Sequence, residues 1–501
     1  MVEITASEDI WLGIDVGTQS AKVIAASKSG EVLAYSMHPL TSRRAGRRHE
    51  QDAGQCWSAV LQACAHTTAQ VRPHRICGVA VDGTSGTILL ADKAGQPLTP
   101  AVMYDDERAR DEARQVNAVS AALGDGFSAQ ATWALPKLLW FAREYHELIP
   151  SARLIHQADF INWRLAGQQL PSDWSNALKT GYDLENESWR HRLFEQIGIP
   201  EQILPTVVRP GTQIGTVCDQ AAAVTGIPTG TPILAGMTDG CAAQIAAGAL
   251  DVGDWNSVLG TTLVLKGVTQ KRLHDSTGVV YSHRSPDGYW LPGGACNAGA
   301  AVLSKYFHKR DLDALTMQAA GRESANVIVF PVVGCGERFP FHAPEAESFV
   351  LGNPADEVDL FAGVLHGVAF MERLCFDYLH LLNAPLSGRV IFTGGAVRNR
   401  HWCQVRADVL GRSVHIPENT EPAFGMAILA SAGRDCLTGA AKRMVRTAEV
   451  FEPRPERTLR LLEAYLRLIG KLEQRGWLPS NLAPHAVTRA GQSLAAAESV
   501  A

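Results

Sequence analysis

The stretch Trp11-Leu-Gly-Ile-Asp15-Val-Gly17-Thr18-Gln-Ser20-Ala-Lys22-Val-Ile-Ala-Ala26 decides how the chain is read. Trp11–Val16 is an apolar, β-branched run, and Lys22–Ala26 is a second one. Gly17-Thr18-Gln19-Ser20 is a turn between them. The pattern predicts a β-hairpin whose first strand ends in a carboxylate, Asp15. Ser29-Gly30 turns the chain into a third strand, Glu31–Ala34. A helix beginning near Asp52 carries Trp57, Val60, Leu61 and Cys64 on one face. It leads to a buried strand, Ile76–Val81, which ends in the polar loop Asp82-Gly83-Thr84-Ser85-Gly86-Thr87.

The same order recurs in the second half. Trp255–Leu259, the turn Gly260-Thr261-Thr262 and Leu263–Leu265 form another hairpin, and Gly278–Tyr281 reads as its third strand. A long helix over about Leu360–Leu382 precedes the strand Val390–Thr393, which ends in Gly394-Gly395-Ala396. The repeat is far longer than a solenoid period, so it predicts a duplicated α/β domain with a cleft between the halves. Between the halves, Ile214 to Pro232 reads as loops and short strands. Leu459–Leu472 reads as an amphipathic helix, and the Ala/Ser-rich tail from Pro479 reads as frayed.

Composition narrows the function. Among 501 residues, 46% are hydrophobic and 19% charged, enough to build large cores. Lys and Arg number 46 and Asp and Glu 51, a net charge of −5, which argues against a nucleic-acid binder with a broad basic field. The local cluster Arg43-Arg44 and Arg47-Arg48 reads as a solvated loop. No apolar run is long enough to span a membrane and no secretion signal is visible. The ten cysteines form no Cys-x-x-Cys pair, which fits thiols in a reducing cytoplasm. The sixteen histidines show no zinc-ligand spacing.

Four segments carry chemistry. Asp15 beside Gly17, Thr18, Ser20 and Lys22 can aim N–H groups and hydroxyls at phosphate while Asp15 holds a hydrated Mg²⁺; it reads equally as an ordinary hairpin turn. Gly260-Thr261-Thr262 occupies the equivalent turn of the second half. Thr238-Asp239-Gly240 opens a helix of small residues, where Asp239 is either a cap or a general base beside a helix N-terminus. Gly394-Gly395-Ala-Val-Arg-Asn399 can let a flat ring approach the backbone, or simply turn a strand into a helix. The clusters Asp82–Ser85 and Met103–Arg108 suit a polyhydroxylated ligand, or are solvated loops.

Taken in order, Asp15-x-Gly-Thr18, Glu50-Gln51-Asp52 with Trp57, Pro136-Lys137-Leu-Leu-Trp140, Gly236-x-x-Asp239, Gly260-Thr261 and Gly394-Gly395 resemble the FGGY carbohydrate kinases, within the actin/hexokinase/Hsp70-like superfamily. The resemblance implies two RNase H-like α/β domains with an interdomain cleft. The expected divisions are a sugar-binding domain over 9–236, an ATP-binding domain over 237–442, a helical segment over 443–478 and a disordered tail over 479–501. It implies ATP- and Mg²⁺-dependent phosphorylation of a sugar or polyol in the cytoplasm, by a homodimer. Asp239 matches the catalytic base and Asp15 the metal-associated carboxylate. Gly17, Thr18, Ser20, Lys22, Gly260, Thr261 and Thr262 fall to the phosphates, and Gly394, Gly395 and Asn399 to the adenosine. Thr84, Ser85, Asp105 and Trp133, with Asp239, fall to the sugar.

Xylulokinases usually carry Ser-Gly-Gln-x-His-Gly where this chain has Asp82-Gly-Thr-Ser-Gly-Thr87. The Gly-Thr-Ser loop and Met103-Tyr-x-Asp-x-Arg108 look more like D-ribulose kinases, although Asp105 stands where those often have Asn. The resemblance therefore implies a ketopentose kinase, D-ribulose first, with D-xylulose, erythritol or another polyol as alternatives. An actin- or chaperone-like ATPase and a silent sugar sensor are the readings from other classes. The polyol clusters and the intact Asp15 and Asp239 speak against both.

Overall fold

A computed structural model describes residues 9–322, 324–433 and 435–498. The chain forms two compact units. The first comprises the chain through Gly248 together with His283–Gly288 and Asn419–Val445; the second comprises Ala249–Ser282, Tyr289–Glu418 and the chain from Arg446 on.

The first unit is built on a six-stranded sheet. Its strands are β1 (Ile10–Val16), β2 (Ser20–Ser27), β3 (Val32–Pro39), β4 (Ile76–Gly83), β5 (Gln213–Thr216) and β6 (Pro232–Leu234), in the spatial order β5-β6-β4-β1-β2-β3. β1 pairs antiparallel with β2 and parallel with β4, and β6 pairs parallel with β4. The predicted hairpin is therefore the centre of the sheet. Helix α1 (Ala53–Thr68) begins at Asp52, whose carboxylate accepts from the N–H of Gln55, and it buries Cys56, Val60 and Cys64. A smaller five-stranded sheet in this unit joins Arg43–Ala45, Arg48–Gln51, Ala101–Val102, Ile88–Ala91 and Arg153–His156, in that order. The arginine cluster read as a loop is the first hairpin of this sheet, with Arg44 opposite His49.

The second unit repeats the plan. Its strands are β7 (Trp255–Leu259), β8 (Leu263–Gly267), β9 (Tyr281–Arg284, of which Tyr281 and Ser282 belong to this unit), β10 (Trp290–Cys296), β11 (Val390–Thr393), β12 (Val414–Pro417) and β13 (Thr447–Phe451), in the order β9-β10-β8-β7-β11-β12-β13. β7 pairs antiparallel with β8 and parallel with β11, as β1 does with β2 and β4. The third hairpin strand is Trp290–Cys296. The strand expected at Gly278–Tyr281 begins only at Tyr281, because the Asp275 carboxylate takes the N–H groups of Thr277 and Val280 into a turn. Where loops and short strands were expected, Asp219–Thr225 is a helix.

The domain divisions also differ from expectation. Helix α2 (Asp239–Ala246) belongs to the first unit, so that unit runs past residue 236. Helices α3 (Glu357–Leu381) and α4 (Arg400–Leu410) stay in the second unit, but α5 (Pro422–Ala432) returns to the first and packs on β1 and α2. The residues after 443 are no separate segment. Helix α6 (Pro455–Gln474) places Leu461, Leu462, Tyr465, Leu468, Ile469 and Leu472 in the core of the second unit. The tail expected to be disordered forms α7 (Leu482–Glu498) over its described part. Alanine is the best helix former, and Ala483, Ala486 and Ala490 with Leu482 are small enough to pack that helix into the same core. Residues 499–501 of the expected tail lie outside the described residues.

Candidate active site

The parallel strands of the first unit end at three carboxylates. Strand register sets Asp15 on β1 directly opposite Asp82 on β4, so both project from the same face. The chain after β6 continues alongside β4 with Thr238 beside Gly83, and Asp239 follows as the first residue of α2. Gly236 makes this approach possible, since a Cβ there would lie 1.9 Å from the carbonyl oxygen of Val81. Thr238, not Asp239, occupies the N-cap position of α2. The Asp239 carboxylate accepts from the N–H of Gly240 at 2.7 Å.

Burial and mutual repulsion dominate the electrostatics. Asp15 is pushed up to about 6, first by burial; Lys22 and Asp82 counter that, while Asp239 and Glu421 add to it. Asp82 is fully buried and is raised well above the usual carboxylate range by burial, then by Asp15 and Asp239. Among the described residues no N–H or hydroxyl donates to either oxygen of Asp82. The hydroxyls of Thr238 and Ser85 are likewise buried without a partner. Acceptor oxygens without donors suit a hard cation or a ligand rich in hydroxyls. Among the described residues no three His, Cys, Asp or Glu side chains form a metal-holding set, and a hydrated Mg²⁺ held on one or two carboxylates needs none.

The turn after β1 is closed by the Gly17 N–H donating to the carbonyl of Ser20 at 3.0 Å. Lys22, assigned to phosphate in the sequence, is turned to Glu421 at 2.5 Å, and Asp15 also acts on its charge. Its ammonium is thus neutralised within the unit. A relay of amides joins the turn to the Asp82 loop: Gln51 donates to the Thr18 carbonyl, Gln157 donates to Gln51, and the Thr84 N–H and hydroxyl donate to Gln157. Thr84 also shares its hydroxyl with Thr87. Lys137 is fully buried, donates to the carbonyls of Gly86 and Met103, and is lowered to about 7 by burial. It ties the Asp82 loop to the Met103–Arg108 loop.

Asp105 faces Arg44 and His49 rather than standing open: its Oδ1 is 2.5 Å from His49 Nδ1. These partners hold its carboxyl below the usual range against a burial effect that raises it. Its neighbour Tyr104 is exposed, and Thr18 and Asp239 both act on its phenol. Trp133 is buried at the start of the Ala134–Glu144 helix, edge-on to Phe127. His49, Gln157 and Glu421 also stand among these residues and were not singled out from the sequence, whereas Asp82 and Tyr104 lay in the clusters read as suiting a polyhydroxylated ligand. Of the three, His49 lies beside the Glu50-Gln51-Asp52 motif. Gln157 and Glu421 are remote in sequence, and no local signal marks them.

In the second unit the paired positions at the strand ends are neutral, Val258 opposite Thr393. Gly260, Thr261 and Thr262 form the turn, with the Gly260 N–H donating to the Thr262 carbonyl. The carbonyls of Gly260 and Thr261 accept from Ala300 and Ala301. Gly394 has φ 86°, and a Cβ there would lie 2.6 Å from the carbonyl of Leu259. Only glycine fits that position, and it sets the Gly394-Gly395 loop against the end of β7, next to the Gly260 turn. Around Gly395 a Cβ would meet open space. Asn399 is not open: its carbonyl oxygen caps α4 at the N–H of Trp402 and its amide donates to Thr316. It works as a helix cap.

Two repeated α/β units with glycine turns at their strand ends, one lined with carboxylates, are an arrangement suited to phosphoryl transfer. Residues 10–246 match the N-terminal domain, and residues 255–433 the C-terminal domain, of the FGGY family of carbohydrate kinases, and the chain belongs to that family. It is 27% identical over 490 residues to a xylulose kinase of Streptomyces rubiginosus, covering 94% of this chain and 98% of the relative. In fold it is similar to a xylulose kinase of Rhodospirillum rubrum, at TM-score 0.82 and 24% identity, covering 92% and 99% of the two chains. It is also similar in fold to a Plasmodium falciparum glycerol kinase solved with ADP, at TM-score 0.82 and 17% identity, covering 93% and 98%.

Proposed function

We propose that this sugar kinase transfers the γ-phosphoryl group of ATP to the terminal hydroxyl of a ketopentose, D-ribulose before D-xylulose, in the cytoplasm. The observation that carries the chemistry is the meeting of Asp15, Asp82 and Asp239 at the strand ends of one unit. Asp239 accepts the hydroxyl proton as the sugar oxygen attacks the γ-phosphorus; a new P–O bond forms and the bond to the β-phosphate oxygen breaks. Asp15, with Asp82 beside it, would hold Mg²⁺, which offsets charge on the transferring group. The Gly17–Ser20 and Gly260–Thr262 turns offer N–H groups and hydroxyls to phosphate oxygens, and Gly394-Gly395 accommodates the base.

The choice of D-ribulose rests on the Asp82–Thr87 loop. It lacks the long Met and His side chains that the resemblance leads one to expect of a xylulokinase, and leaves the Ser85 hydroxyl buried and unpartnered. The two ketoses differ at C3 alone. A group left unpaired by the wrong epimer costs ~1–3 kcal/mol, roughly 5- to 150-fold in kcat/KM. D-xylulose is the second reading, favoured by the names of the relatives. The test is ADP release measured with D-ribulose, D-xylulose, pentitols, tetritols, glycerol and gluconate. Preference for D-xylulose or for a polyol overturns the substrate, and ADP release independent of any acceptor overturns the kinase mechanism.

A further inference from the structure

His49 is a buried histidine, 1% exposed, in the strand Arg48–Gln51. Side chains two apart on a strand share a face. Gln51, on the same face, reaches the Thr18 carbonyl and Gln157, whereas Glu50 between them points away to Arg108. His49 Nδ1 meets the Asp105 carboxylate, which can only accept, so Nδ1 carries the proton. Arg44 holds the other oxygen of that carboxylate. The backbone is fixed as well: the His49 N–H donates to Asp106, and the His49 carbonyl accepts from Met103. With the ring clamped on one side, Nε2 is buried and has no partner among the described residues. Tyr104, next to Asp105, lies where Thr18 and Asp239 act on it.

We infer that His49 is a specificity-determining residue of the acceptor site, its Nε2 accepting a hydroxyl of the sugar, and that Asp105 is a positioning residue that acts through this ring. The inference rests on the acceptor reading above. It explains why a histidine ring is oriented by a carboxylate on one nitrogen and left unpartnered on the other, on the strand face that looks toward Thr18. It also reassigns Asp105, from a direct sugar contact to the group that sets the tautomer.

The test uses two amides of different reach. In His49→Asn the amide overlays Nδ1 and keeps Asp105 but removes the group at Nε2. In His49→Gln the amide overlays Nε2. His49→Asn should raise the acceptor KM roughly 5- to 150-fold, the range for an unpaired hydroxyl contact, with the ATP KM unchanged. His49→Gln should restore most of it. Against monodeoxy analogues of the best acceptor, the His49→Asn loss should vanish for the one that lacks the contacted hydroxyl. Asp105→Ala, at a partly exposed side chain, should raise the acceptor KM by less than His49→Asn, and serves if the buried variants misfold. Folded variants with wild-type acceptor KM overturn the inference alone, as does an equal loss for every deoxy analogue. Wild-type protein that turns over none of the sugars and polyols overturns the acceptor reading together with it.

Discussion

The two units use one strand plan and end it differently. In the first, the residues preceding the two glycine loops are Asp15 and Asp82, opposite each other; in the second, they are Val258 and Thr393. Carboxylates at strand ends attract a cation and accept protons, and they repel phosphate. A neutral end with N–H groups and hydroxyls suits the polyanion itself. The second unit keeps its charge inside instead. Glu372 and Arg406, both fully buried, pair at 2.7 Å and share the Ser257 hydroxyl, with the guanidinium over the Phe392 ring. The same scaffold thus gathers buried carboxylates against one another at the strand ends of one unit, and pairs a buried acid with a guanidinium inside the other.

The largest effect should follow from removing the proposed base on the acidic side. Asp239→Asn should fold, bind acceptor and lose kcat by ~10²–10⁴-fold, the usual range for a general base. Steady-state kinetics within a few-fold of wild type would rule Asp239 out of that role. On the other side, Glu372→Gln leaves Arg406 buried without its counter-charge and should cost about 3–5 kcal/mol of stability, with kcat per folded molecule nearly unchanged. Chemical denaturation followed by tryptophan fluorescence measures it. Unaltered stability with damaged kcat would show that the interior pair serves catalysis.

The third effect tests the strain in the carboxylate rim. Asp15 is raised from an ordinary 3.8 to about 6, and Asp82 is raised well above the usual carboxylate range in the same direction. A carboxyl raised on folding favours the folded state below the unfolded pKa, and that contribution is lost as pH rises through the folded value. Asp82→Asn removes the repulsion, so the variant should be more stable than wild type by about 1–3 kcal/mol at pH 8, with the gain shrinking toward pH 4. Thermal unfolding across that range checks it. A gain that stays constant with pH, or a loss at pH 8, would mean that the pair is not held at a cost.

Much of this was legible in the sequence because the signals are local. The hairpin at Asp15, the helix after Asp52, the long helix before Val390 and the glycine loops each follow from periodicity and turn residues within a short window, and the structure places all of them there. What stayed hidden depends on distant partners. Nothing near Asn399 says that its amide is taken by Thr316, and nothing near Lys22 says that Glu421 will neutralise it. The return of α5 to the first unit is equally silent, since it is decided by packing on β1 and α2. The tail was misjudged for the opposite reason. Its Ala/Ser composition resembles a disordered end, but the spacing of its alanines suits a helix that packs closely.

The smallest effect compares one substitution at the two equivalent turns. Thr18→Ala and Thr261→Ala each remove a hydroxyl offered to phosphate and leave the backbone N–H groups. Each should raise the ATP KM by roughly 3- to 10-fold, the worth of one ordinary hydrogen bond. The two should differ on the acceptor side. The Thr18 carbonyl, which holds Gln51, survives the change, but the Thr18 side chain also acts on the Tyr104 phenol near Asp239. Thr261 is exposed in the neutral unit, and its carbonyl accepts from Ala301 of the same unit. Thr18→Ala should therefore move the acceptor KM slightly, by less than it moves the ATP KM, and Thr261→Ala should not move it at all. Varying each substrate in turn at saturation of the other separates the cases. A selective rise in acceptor KM at either turn, with nucleotide parameters unchanged, would take that turn away from the phosphates. A shift in acceptor KM for Thr261→Ala would remove the division of labour between the acidic and neutral strand ends.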